Sequence, residues 1–120
     1  MGLRILVVES DAKMRATLCR QLKKIWGVVD VVEAPSFDEA VGVFNSHKGI
    51  FDGIVLDSPK VLGFVRCLKY TGIIVASSSS DVANDVMIEC GANGKACAVD
   101  SRVGKETALG VLMSLLHRKK

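Results

Sequence analysis

Only 5% of the 120 residues are aromatic, so no core of stacked rings can organise this chain. The 49% hydrophobic content must be packed from Val, Leu, Ile, Ala and Met, a composition suited to a sheet covered by helices. Strong charge of one sign is also missing: 16 basic residues face 13 acidic ones, for a formal charge of +3. No basic stripe with interleaved aromatics occurs, which argues against a nucleic-acid surface. The basic tail Arg118-Lys119-Lys120 suits the C-terminal end of a helix, where the dipole favours cations. No C-x-x-C pair is present. Cys19, Cys67, Cys90 and Cys97 are far apart among apolar neighbours, which predicts buried free thiols in a reducing compartment. No run reaches the length of a membrane span, and Arg4 and Glu9 bound the first apolar stretch, unlike a signal peptide. The expectation is a soluble cytoplasmic protein, one domain over 1–120, with no membrane partner.

What is present is an alternation. "RILVVE" (4–9) reads as a buried strand, and Met14, Leu18, Leu22 and Ile25 then recur at helical spacing. Asp11 is a candidate N-cap for that helix, and Gly27 its stop. "VVDVVE" (28–33) is a second strand. Ser36-Phe37-Asp38-Glu39 fits a capping box for a helix to about Ser46 that buries Phe37, Ala40, Val41 and Phe44. "GIVLD" (53–57) is the third strand, followed by a short helix from Pro59 to Tyr70. "GIIVAS" (72–77) is the fourth, and Asp81 to Cys90 a helix facing inward through Val82, Val86, Met87 and Cys90. "KACAV" (95–99) and a helix over 105–116 complete the pattern. Five βα units with continuous rather than alternating apolar strands demand parallel pairing and crossovers. The predicted fold class is α/β: a three-layer α/β/α, doubly wound, five-stranded parallel sheet of flavodoxin-like topology.

In such a sheet, chemistry gathers beyond the carboxyl ends of the strands, where strand order reverses. The polar residues at those ends are Glu9, Ser10 and Asp11, then Asp57, then Ser77 and Ser78. Carboxylates with a backbone carbonyl suit a hard cation such as magnesium, and without one they repel. A nucleotide loop would want glycine after the first strand, and "ESDAKM" has none.

This constellation resembles the receiver domain of two-component response regulators over nearly the whole chain. "RILVVESD" resembles the family's opening strand and acidic pair. "FDGIVLD" resembles its third strand, with Asp52 five residues before the acceptor. "CGANG" resembles the turn before its fifth strand. The resemblance implies that Asp57 is the phosphoacceptor and Ser77 the switch hydroxyl. It implies a metal site for Mg2+ built from Glu9, Asp57 and the Pro59 carbonyl, with Asp11 or Ser10 as a further candidate donor. The implied partners are a histidine kinase or phosphotransfer protein and a downstream protein, with a homodimer as a candidate assembly. The implied role is regulatory rather than enzymatic.

The departures are specific. Ser10 replaces the second acid, Lys95 stands where an aromatic is usual, and Ala98-Val99 fall where Lys-Pro belongs. Lys105 and Lys95 are poorly placed substitutes. After Asp57, Pro59 and Gly63 come early, and the third helix is shorter than the family's by roughly ten residues. Two outcomes are therefore carried forward: a receiver that is phosphorylated or acts in degenerate form through protein contact, and a constitutive scaffold that never accepts phosphate.

Overall fold

The structure, a computed structural model, describes residues 3–24, 28–47, 50–77 and 81–95. The strands are β1 (Leu3–Val8), β2 (Val28–Ala34), β3 (Gly53–Leu56), β4 (Ile73–Ala76) and β5 (Gly94–Lys95). They form one sheet in the order β2-β1-β3-β4-β5, every pair parallel. The helices are α1 (Ala12–Leu22), α2 (Phe37–Ser46), α3 (Pro59–Cys67) and α4 (Asp81–Glu89). None is long and apolar enough to cross a membrane, among the described residues.

Why the strands lack alternation is visible in the core. Successive residues enter opposite faces of the sheet, and both faces are covered. Leu6, Val8, Ile54, Leu56, Ile74 and Ala76 pack with Ala40 and Phe44 of α2, with α3 and with Met87 of α4. Ile5, Val7, Val55, Ile73 and Val75 pack on the other face with Leu18, Cys19 and Leu22 of α1. Helices on both faces make the three-layer, doubly wound architecture that the βα alternation predicts.

The helix starts follow the local chemistry. Asp11 caps α1, its carboxylate accepting from the amides of Lys13 and Met14 at 2.9 and 3.1 Å. Ser36 caps α2 by accepting from the Glu39 amide at 3.2 Å. Ser58 caps α3 through the Lys60 amide, with Pro59 at the first helical position, where its missing N–H costs nothing.

Several boundaries differ from the sequence expectation. Helix α1 stops at Leu22 with Lys23 as its cap, short of Gly27; Ile25 and Gly27 lie outside the described residues. Helix α3 ends at Cys67 rather than Tyr70, because Lys69 turns the chain at φ 63°, a left-handed conformation more usual for glycine. On α4 the inward residues are Asn84 and Met87, while Val82, Val86 and Cys90 are exposed. The expectation holds for Met87 but not for Val82, Val86 or Cys90, since the buried face is completed by a polar Asn84 instead. Cys67 is exposed as well, so the expectation of buried thiols holds for Cys19 alone among the described cysteines. β5 begins at Gly94; residues 96–99, Cys97, Trp26 and the predicted last helix lie outside the described residues.

Candidate functional site

Strand order reverses between β1 and β3, since the chain leaves β1 toward β2 and later returns to β3 on the other side. Val8 is paired with Leu56, and Leu56 with Ala76. The residues that follow them are therefore level with one another: Glu9, Asp57 and Ser77. The Ser77 amide donates to the Leu56 carbonyl at 2.8 Å, extending the ladder one residue past β4, and Ser77 is buried.

Ser10 makes the decisive contact. Its backbone N–H and its hydroxyl both donate to Oδ2 of Asp57, at 3.1 and 3.2 Å. The segment around it is pinned. The Glu9 amide donates to the Ala34 carbonyl at 3.2 Å. The Asp11 amide donates to Oε2 of Glu9 at 3.1 Å. Arg15, one turn into α1, donates from Nη1 to the Glu9 carbonyl at 2.8 Å and from Nε to Glu33 at 3.3 Å. Sequence reasoning passed over Arg15; its signal was its position one turn after the cap, where a long basic side chain reaches back over β1.

Burial pushes the Glu9 carboxyl up to about 7. The Asp11 amide opposes this by stabilising the charged form, while Asp57 raises it further as a neighbouring charge and hydrogen-bond partner. Burial and the nearby Asp57 thus both draw the Glu9 carboxyl toward its neutral form. Loops starting α1 and α3 border it, and the positive dipole ends of both helices favour negative charge there. Near the α3 start, the Lys60 ammonium lies 4.4 Å from the centre of the Phe37 ring, a cation–π contact that tethers a positive side chain three residues after Asp57.

The described sequence candidates thus occupy one end of the sheet. Glu9, Ser10 and Asp57 meet directly. Ser77 stands beside Asp57 in register, and Pro59 opens α3. Asp11 is committed to capping α1. Lys95 closes β5 as the described residues end; Ala98, Val99 and Lys105 lie outside them.

No protein-family model matches the sequence, and no curated protein matches it. Solved structures do. The signal receiver domain of NarL from Mycobacterium tuberculosis is similar over 97% of each chain, with TM-score 0.77 and 18% identity. The fold is that of a receiver domain. A second match, with 25% identity and TM-score 0.65, is the response regulator TrrA from Thermotoga maritima in complex with Mg2+ and BeF; it covers 79% of this chain and 84% of that one. A third is CheY6 from R. sphaeroides, in complex with the phosphorylated P1 domain of CheA3, at 18% identity and TM-score 0.69 over 96% and 97% of the two chains.

Magnesium is bound in one of these receiver folds, which makes the donor set here worth testing against it. Among the described residues no group of three or more His, Cys, Asp or Glu is placed to hold a metal. Asp11 is spent on the α1 amides, and Ser10 directs its hydroxyl at Asp57. Glu9 and Asp57 are left as the carboxylates, with the Pro59 carbonyl as a backbone donor. Hard dications are held by charged oxygen ligands. With Ser10 in place of a second acid, the donor set lacks one charged ligand and fits a resident magnesium ion poorly.

Proposed function

We propose that this chain is a receiver domain of phosphorelay signalling, with Asp57 as the phosphoacceptor. The observation that carries the reading is the placement of Asp57 level with Glu9 and Ser77 at the switch point of a receiver fold. A carboxylate oxygen of Asp57 forms a bond to phosphorus as the P–N bond of a phosphohistidine breaks. The electron pair stays on the imidazole nitrogen, and the product is an acyl phosphate on Asp57. Such transfers depend on positioning and charge stabilisation rather than covalent work by the protein. The dipole ends of α1 and α3 support the added negative charge. Ser77, level with Asp57, supports a switch role in which its hydroxyl follows the new phosphoryl oxygens.

On this reading the partners are a histidine kinase or phosphotransfer protein and a downstream protein, in the cytoplasm, with no substrate turned over. Incubation with acetyl phosphate or a phosphohistidine donor should give a phosphate adduct lost in Asp57→Asn. Failure of wild-type protein to take up phosphate from either donor would remove the reading.

A second reading, a constitutive interaction module, is favoured by one observation: Ser10 satisfies Asp57 where the family's second acid would stand. A partner that binds wild type and Asp57→Asn equally well would support it.

A further inference from the structure

We propose that Ser10 takes the place of a divalent cation in ordering Asp57, so that this pocket holds its carboxylate without magnesium. The inference rests on reading Asp57 as the acceptor position and names what governs that position. Two donors of one residue converge on one oxygen, Oδ2 of Asp57. Both are aimed in advance, because the backbone on either side of Ser10 is fixed. Glu9 is held through its amide by Ala34 and through its carbonyl by Arg15, and Asp11 is held by its amide to Glu9 and its carboxylate in the α1 cap.

The sign of the interaction is the essential point. An acid at position 10 would repel Asp57 and need a cation between them. The serine hydroxyl and amide attract Asp57 directly, and hydrogen bonds to a charged acceptor are stronger than neutral ones. The same substitution removes a carboxylate from the donor set and supplies the contact that makes the cation dispensable. Ser10 is thus a positioning residue for Asp57.

The experiment compares wild type with Ser10→Asp, Ser10→Thr and Ser10→Ala, using magnesium chloride as the probe. Magnesium binding is read by calorimetry and by thermal melting. Wild type and Ser10→Thr should show no saturable response at about 10 mM magnesium. Ser10→Asp should melt lower than wild type without magnesium, recover with it, and bind it at least about tenfold more tightly. Ser10→Ala, keeping the amide donor, should remain insensitive to magnesium and melt slightly lower. A purely structural serine would not create magnesium-dependent melting on conversion to aspartate. Wild type binding magnesium as tightly as Ser10→Asp, or Ser10→Asp melting like wild type without the ion, would overturn the proposal.

Beryllofluoride uptake at Asp57 is read separately on the same proteins. If neither wild type nor Ser10→Asp takes it up while the magnesium responses differ as stated, the acceptor reading fails and the role of Ser10 stands. If both take it up with equal magnesium requirement, the role of Ser10 fails and the acceptor reading stands.

Discussion

Ser10 and Asp57, 47 residues apart in sequence, are joined twice at a single carboxylate oxygen, once by an amide and once by a hydroxyl. The hydroxyl arm can be removed alone. Both groups are near solvent, so the coupling should be below the ~1.5–3 kcal/mol of a buried charged hydrogen bond. A double-mutant cycle of Ser10→Ala and Asp57→Asn in urea should return about 0.5–1 kcal/mol of favourable coupling. Strictly additive losses would show that the hydroxyl contributes nothing.

Glu9 predicts an unusual pH response. Its ordinary value of 4.5 rises to about 7 in the folded protein, so between these values the folded state holds a proton that the unfolded state has released. The contribution of Glu9 is fully present below pH 4.5 and is lost as pH rises through about 7. Linkage alone would allow about 3 kcal/mol, and screening at the rim of the sheet reduces that to about 1–2 kcal/mol. Glu9→Gln should flatten this slope and be the more stable protein at pH 8. Urea midpoints measured from pH 5 to pH 8 check both statements; parallel curves for the two proteins would refute them.

Two glycines should respond oppositely to alanine. A Cβ on Gly72 would run into the Tyr70 hydroxyl and ring carbon, and that hydroxyl donates to the Phe51 carbonyl at 2.9 Å in the core. Gly72→Ala should cost about 1–3 kcal/mol by overpacking. Nothing lies within 4 Å of a Cβ on Gly63 in α3, so Gly63→Ala should be neutral or stabilising by up to about 1 kcal/mol. Chemical denaturation of the two variants gives the comparison.

The cysteines give a test of side-chain placement. Burial raises the Cys19 thiol to about 11, whereas Cys67 and Cys90 are exposed. Iodoacetamide on native protein should label Cys67 and Cys90 well before Cys19, since the thiolate is the reactive form. Peptide mapping reads the order, and early labelling of Cys19 would contradict the packing of α1 on β1.

How much of this was legible depended on range. The βα alternation, the caps at Asp11 and Ser36, and the grouping of Glu9, Asp57 and Ser77 rest on local chemistry and on strand-end position, both written in sequence. The face of α4 was legible only at Met87, because Asn84 is polar and inward while Val82 and Val86 are apolar and outward. Hydrophobic periodicity cannot register a buried amide. The end of α3 was missed because Lys69, not glycine, takes the left-handed turn. In the pocket, spacing located Ser10, but that both its donors meet Oδ2 of Asp57 depends on how β1 and β3 lie together. That is a tertiary fact.

The opposite end of the sheet is also tied by side-chain hydrogen bonds. Arg66 donates to the carbonyls of Tyr70 at 2.6 Å and Gly91 at 2.8 Å, and to Oδ1 of Asn93 at 3.2 Å. Asn93 in turn meets both the amide and the carbonyl of Ile74 at 2.8 Å. Asp52 does the same for Arg4, by its carboxylate and its amide. Asp52, Tyr70 and Asn93 stand before β3, β4 and β5, and Arg4 and Ile74 are early residues of β1 and β4, whereas Glu9, Asp57 and Ser77 follow their strands. A change of charge at Asp57 would therefore act first on the two Ser10 contacts, at the end of the sheet away from the Arg66, Asn93 and Asp52 ties.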